Sequence, residues 1–377
     1  MNLNKSLPSP IPWNPHASLH GALHIFVAFD WGSHIDLEQV RQRTAAQVHL
    51  LPRRRRTPAS IAYRPSPVRL QLQPMEIEVN LLGRVRATAE MTLFDFGAVS
   101  VALHLPWQLS ASDVPILASG LADSAPLVDA VRRAVDPLHN LLEPAIADFD
   151  WGEQTEEYFV FEIPPGPPLA APHQLMDQAA DWIAAIVRLE QDPLSPTEIV
   201  EALRQRISYT PSDLFVAEWS AALLIDHDCE ETLETIELAN LQLLELRHLD
   251  TRLDDQLANA HRLIRPLKST WLPFWRTHAR QLRALGDLKV QANTAFERAG
   301  NVLKLVGDQY LSRVYRLLAA RFHLDTWEAS VRNSLDTAES VYRVVSDQSA
   351  TLRAETLEII IVGLILFEVA LSLYDRL

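Results

Sequence analysis

The chain has 377 residues, 48% of them hydrophobic and 22% charged, which is a globular composition and enough length for two or three domains of ~150 residues. A formal net charge of -14 argues against a general nucleic-acid binder, because phosphate binding needs a basic field. One cysteine, Cys229, excludes an intramolecular disulfide and any multi-cysteine metal site. A lone thiol in a helical pattern is ordinarily a small buried residue.

Residues 1–20 are polar and proline-rich. Pro8, Pro10, Pro12 and Pro15 oppose helix, so the segment reads as a disordered or extended lead-in. It holds no continuous apolar core of the secretory type, so the body is expected to stay in the compartment of synthesis. The first element is a strand over Ala22 to Phe29, closed by Asp30-Trp31-Gly32, and a short helix follows over Asp36 to Ala46. Then comes LPRRRRTP. Arg53, Arg54, Arg55 and Arg56 repel one another and must sit in solvent, either as a plain loop or as a contact for RNA backbone or lipid headgroups.

Ile61 to Gln73 and Met75 to Leu81 read as strands. Val85 to Phe94 and Ala98 to Leu105 read as a hairpin turned at Asp95-Phe96-Gly97, where a glycine supplies positive φ. That tripeptide is also a kinase magnesium motif, but no glycine-rich or catalytic loop accompanies it. Asp113 to Ala147 is helical with a break at Ser124 to Pro126, and Glu156 to Ile163 is a strand stopped by the stiff PPGPP stretch. A helix over His173 to Glu190 follows, and Ser195-Pro196-Thr197-Glu198 caps another. Leu214 to Ile225 reads as one buried strand bounded by Asp226-His227-Asp228. Elements of both kinds alternate irregularly, as in a mixed sheet domain.

After Asp228 the strand signal disappears. Glu230 to Ile264 carries apolar residues at Ile236, Ala239, Leu243, Leu246, Leu253 and Leu257, the steps of a coiled-coil seam interrupted at Asp250. Trp271, Phe274 and Trp275 suit a domain junction or, less simply, a ligand pocket. A second long helix is expected over Leu288 to Phe322. Gly300 and Gly307 there permit close approach of a neighbour. Asp325-Thr326-Trp327-Glu328 opens a last helix, roughly 70 Å long, that runs into the tail.

The tail, LEIIIVGLILFEVALSLY over Leu357 to Tyr374, is the most apolar stretch of the chain. Leu357, Ile359, Ile360, Ile361, Leu364, Ile365, Leu366 and Phe367 supply the hydrophobicity, with Glu358 at the border and Glu368 inside. It is hydrophobic all round, which a surface helix is not. The strictly apolar part is roughly 23 Å long as a helix, short against a ~30 Å hydrocarbon core unless the bilayer thins. The expectation is a membrane anchor inserted by its C-terminus, with an oligomer seam as the alternative.

Three stretches, LETIELANLQLLELRHLDTRLD at 233–254, FHLDTWEASVRNSLDTAESVYRVVSD at 322–347 and TLRAETLEIIIVGLILFEV at 351–369, together resemble an uncharacterised-domain family. It is the family of the mitochondrial "required for meiotic nuclear division" protein, with yeast sporulation and bacterial relatives. The resemblance covers roughly 210–375 and implies an α/β region followed by a helical one ending in a hydrophobic helix. It also implies membrane anchorage, large assemblies and support of membrane-protein translation near ribosomes. No enzymatic activity or cofactor is established for that family.

The expected architecture is therefore α+β. An N-terminal mixed α/β domain (21–228) follows the 1–20 lead-in. An elongated, coiled-coil-like helical region (229–355) comes next and ends in a hydrophobic C-terminal helix (356–377). The expected function is a non-enzymatic, homo-oligomeric, membrane-anchored scaffold with its body in the cytoplasm and a role in translation or membrane-protein biogenesis. The alternatives are a soluble cytoplasmic oligomer whose tail packs on partner chains, and an RNA- or ribosome-associated factor using Arg53 to Arg56. Catalytic groups are scattered. His20 and His24 straddle a strand entry, His16 and His34 are near in sequence only, and Asp226-His227-Asp228 reads as a solvated turn more readily than a metal site. Neither GxGxxG nor GxxxxGK occurs. No catalytic residue, metal, cofactor or small-molecule substrate is therefore assigned.

Overall fold

The computed structural model describes residues 12–44, 49–50, 65–149, 151–264, 285–297 and 309–374. The fold is α+β, with an N-terminal sheet domain and C-terminal helices. The chain divides into two compact units. The first is Met1–His248 with Arg298–Asp325, and the second is Leu249–Glu297 with Thr326–Leu377. The division falls inside helices rather than at the last strand, because the first part of the helix after Asp228 is needed to cover the sheet.

The centre of the first unit is β1 (Ser18–Asp30), longer at both ends than its apolar run because all thirteen residues pair with β7 (Ala98–Ser110). Ser18, Leu19 and His20, read as part of the lead-in, thus belong to the sheet. Successive residues of a strand face opposite sides. Leu19, Leu23, Ile25, Val27 and Phe29 enter the main core, while Ala28 packs in a second cluster. With apolar residues wanted on both faces, β1 reads as a continuous hydrophobic run.

On its other side β1 pairs antiparallel with β9 (Thr155–Ile163). Beyond β9 come β12 (Ala221–Ile225), β11 (Leu214–Ala217) and β10 (Arg206–Ile207), with β12 parallel to β9. Beyond β7 come β6 (Gly83–Leu93), β4 (Val68–Gln71) and β3 (His49–Leu50), and β5 (Met75–Val79) also pairs with β6. A separate pair joins β2 (His34–Ile35) to β8 (Ile146–Ala147). The main core face carries α1 (Leu37–Thr44), α2 (Val114–Ser119), α3 (Ala125–Leu142), α4 (Pro172–Gln178), α5 (Ala180–Arg188) and α6 (Pro196–Ala202). Buried Trp182 of α5 ties the layer to the sheet margin by donating Nε1–H to the Ala111 carbonyl at 2.6 Å.

Two expected elements are split. Leu214 to Ile225 is a hairpin, because Glu218-Trp219-Ser220 turns the chain between β11 and β12. The helix over His173 to Glu190 is two helices, α4 and α5, broken at Ala179 (φ −141°, ψ 33°). The cap on α6 is present, with Ser195 Oγ accepting from the Glu198 N–H at 3.3 Å.

The β6–β7 hairpin turns on Gly97 at φ +96°, and a Cβ there would overlap the Gly32 carbonyl oxygen. The same turn docks the loop after β1: Trp31 N–H donates to Gly97 O at 3.0 Å and Ile35 N–H to Asp95 O at 2.9 Å. Gly97→Ala combines backbone strain with a steric clash and is expected to cost at least about 2 kcal/mol. Gly83, at φ +67° with open space around it, supplies the control. Gly83→Ala should cost about 1 kcal/mol from strain alone. Urea midpoints of the two variants measure the difference, and equal midpoints would disprove the clash.

The other sheet face carries α7 (Glu230–Ile264) and α9 (Gln309–Arg321). Between Leu238 and Leu244, α7 is buried on every side, Asn240 and Gln242 included. A coiled-coil seam would leave one stripe buried; here the sheet and α9 both press on the helix, and Gln242 Oε1 accepts a hydrogen bond from the Tyr315 hydroxyl of α9. The expected helix over Leu288 to Phe322 shows as α8 (285–297) and α9, and Gly300, Leu303, Val306 and Gly307 lie outside the described residues. His323, at φ +53°, reverses the chain into α10 (Leu324–Tyr374). Asp325 therefore sits in the first turn of α10 instead of capping it, where its charge suits the helix dipole.

In the second unit, α7 beyond His248, α8 and α10 bury Leu249, Leu253, Leu285, Leu288, Val331 and Leu335. Polar contacts join the three helices: Ser330 Oγ to Asp250 Oδ1 at 3.0 Å and Arg252 Nη1 to Gln291 Oε1 at 3.0 Å. Asp250, which breaks the apolar spacing of α7, is thus taken up by α10. Trp271, Phe274 and Trp275 lie outside the described residues.

Candidate functional site

Alpha-helix α10 runs 51 residues without a proline, and its only glycine is Gly363. Near its end, Ile361 (54%), Val362 (51%), Leu364 (62%), Ile365 (55%) and Leu366 (64%) are exposed. At 100° per residue these five cover roughly 200° of the helix surface. Only Gly363 falls between them, so the described stretch presents no polar face. Each such side chain stands to gain up to about 1.5–3 kcal/mol on full burial. A contiguous apolar surface of this kind marks an interaction site. Glu358 is exposed one turn before it.

Leu357, Ile359, Ile360, Phe367 and Glu368 lie on the same helical backbone. Arg53, Arg54, Arg55 and Arg56 lie outside the described residues. Among the described residues no helix is long and apolar enough to cross a membrane.

A second group of chemically able residues lies on the α7 face of the sheet. His24 of β1 stands opposite His104 of β7, with ring centroids 4.8 Å apart. His24 Nε2 donates to Glu162 Oε2 of β9 at 2.6 Å. Three neighbouring strands thus line up imidazole, imidazole and carboxylate. The His24 hydrogen bond holds the Glu162 carboxyl below its usual range, against burial. Burial first, then the neighbouring His24, keep His104 below the usual imidazole value.

Cys229, just before α7, is buried, and burial followed by Glu162 and Asp226 pushes its thiol far above the usual range. It is therefore protonated at neutral pH and a poor nucleophile. His227 and Asp228 are exposed, and His227 N–H is taken by Asp226 Oδ1 at 2.6 Å. Among the described residues no group of three or more His, Cys, Asp or Glu side chains is placed to hold a metal ion. The sequence pointed to His20 with His24, but their spacing matters only on a helix. The partner His24 meets is His104, reached through strand pairing.

Sequence reasoning also missed a buried ionic group. Glu218, in the β11–β12 turn, meets Arg188 Nε of α5 at 3.2 Å and Arg321 Nη2 at the end of α9. Arg188 also reaches Glu198 of α6 at 3.2 Å, and Arg321 reaches Glu201 at 3.7 Å. The Tyr158 hydroxyl donates to Glu218 O at 2.9 Å and Ala221 O at 3.1 Å. Burial, then Glu218, hold Tyr158 well above the usual phenol range. This network ties helices on both faces to one hairpin.

The stretch that builds the sheet is the part with known relatives. The family model for the N-terminal domain of uncharacterized protein MJ0711 matches residues 20–231. The chain belongs to that family. Uncharacterized protein MJ0711 of Methanocaldococcus jannaschii is 25% identical over 205 residues, which is 54% of this chain and 62% of that protein. The chain thus spans less than two thirds of the relative's length. No solved structure matches it. The MJ0711 N-terminal domain match takes in His24, His104, Glu162, Glu218 and Cys229, and it ends at the start of α7. The α10 tail lies outside it.

Proposed function

We propose that this chain is a non-enzymatic scaffold that self-associates and is held at a membrane by the apolar end of α10. Its body stays on the side of synthesis. The observation that carries the reading is the exposed run Ile361–Leu366, apolar over most of the helix circumference. Lipid covers a helix from all sides, whereas a single docking partner covers one stripe. The resemblance over 210–375 to the meiotic-division and sporulation family supports the same reading and extends it to translation or membrane-protein biogenesis, with the ribosome as a partner. That extension is an analogy of family, since sites and not folds determine activity.

A second reading has its own support. The strictly apolar part of the tail spans roughly 23 Å, short of a ~30 Å hydrocarbon core, and Glu368 interrupts it. A bundle of tails from several copies needs no such length.

The test compares the full chain with one lacking residues 356–377. In the proposed arrangement the full chain stays with membranes through carbonate extraction and the shortened chain is released. Light scattering in mild detergent gives an oligomer for the full chain. A full chain recovered wholly in the soluble fraction overturns the anchor. If that soluble form is an oligomer and the shortened chain is a monomer, the tail-bundle reading replaces it.

A further inference from the structure

Glu156 is a buried acid on β9, facing the same side of the sheet as its strand partner Ala28. Over it lies α7. Asn240 Nδ2 donates to Glu156 O at 3.1 Å, and two turns on Arg247 Nη1 donates to Glu156 Oε1. The next residue, His248, brings Nε2 to 3.9 Å from Asp30 Oδ1 at the end of β1. Between these contacts Leu241 and Leu244 pack on Ala28, Phe94 and Ala98. A small dry patch is thus bordered by two acid–base pairs, at the last residues α7 contributes to the first unit.

We infer that α7 from Asn240 to His248 is a pH-responsive clasp on the sheet, closed by protons at the Glu156–Arg247 and Asp30–His248 pairs and loosened as pH rises. This stands apart from the proposed scaffold role and uses none of the tail residues.

The charged groups acting on Glu156 are Arg247 from α7 and Glu157 from its own strand. Burial dominates and pushes Glu156 up from 4.5 to about 7, against the pull of Arg247. With α7 lifted, the carboxyl is solvated and titrates near its ordinary value. The docked form therefore holds the proton more tightly. Its contribution is complete below about pH 4.5 and is lost as pH rises through about 7. His248 acts in the same sense, since only the imidazolium forms an ion pair with Asp30.

The experiment is hydrogen exchange with mass spectrometry on the full chain, with rates corrected for the intrinsic pH dependence. Protection of 236–248 should fall about tenfold between about pH 6 and pH 8, while the 22–30 strand changes little. Glu156→Gln should flatten that fall. Should this variant fail to fold, Arg247→Gln serves instead. It removes the cation that opposes burial, so the midpoint of the fall should move to higher pH. The inference is overturned if protection of 236–248 does not change with pH, if 22–30 loses protection equally, if Glu156→Gln keeps the wild-type profile, or if Arg247→Gln leaves the midpoint in place.

Discussion

Glu218→Ala is expected to cost about 3–5 kcal/mol of stability in the first unit, the usual consequence of removing one partner from a buried ion pair. The Glu218 side chain is only 3% exposed and is met by Arg188 and Arg321 together. Those guanidinium groups are themselves mostly buried. Truncation leaves two positive charges facing each other with no carboxylate between them. It also removes the acceptor for the Trp219 N–H, now bonded to Glu218 Oε2 at 2.9 Å. Glu201→Ala is the internal control, because Glu201 is 43% exposed and reaches Arg321 only at 3.7 Å. Its loss should cost no more than about 1 kcal/mol. Urea unfolding followed by tryptophan fluorescence compares the two. Similar small shifts for both variants would show that the hairpin does not depend on Glu218.

The second large effect concerns the tail and rests on the proposed membrane role. Ile365→Asp exchanges an exposed apolar side chain for a charge near the middle of the apolar stretch. Insertion should become less favourable by about 3 kcal/mol, a loss of more than about 100-fold in partition to liposomes. Ile365→Leu should partition like the wild type. Because Ile365 is more than half exposed, neither change should disturb the folded units, which circular dichroism checks. Unchanged liposome binding by Ile365→Asp would remove the tail from any membrane role.

The tail was legible in the sequence because its evidence is local. Isoleucine and leucine at nearly every position between Leu357 and Leu373 need no partner to be recognised. The Gly97 turn and the Ser195 cap were legible for the same reason, since each depends on a few adjacent residues. The strand cores of β1 and β9 also stood out, although their ends did not. Ser18 to His20 become strand only because Gln108 to Ser110 pair with them.

The chemically able groups were largely hidden. His24 and Glu162 are 138 residues apart in the chain, and strand order alone makes them neighbours. Glu218 stood as one acid inside the run LFVAEWSAALLI, and an acid there signals a break in a strand. No local sign shows that Arg188 and Arg321 converge on it. Glu156 carries the same lesson, as its burial depends on α7 closing over it.

Residue order by itself determined the mixed α+β character, the change to helix after Asp228, and the apolar end of the last helix. These follow from side-chain periodicity and hydrophobicity over short windows, which act before distant parts of the chain meet. Tertiary structure alone decided the strand order, the hairpin hidden in Leu214 to Ile225, and the burial of α7 on all sides. It also decided which acids are buried against which bases. Those outcomes depend on contacts between residues far apart in the chain, whose desolvation and pairing exist only once the sheet and its covering helices have come together.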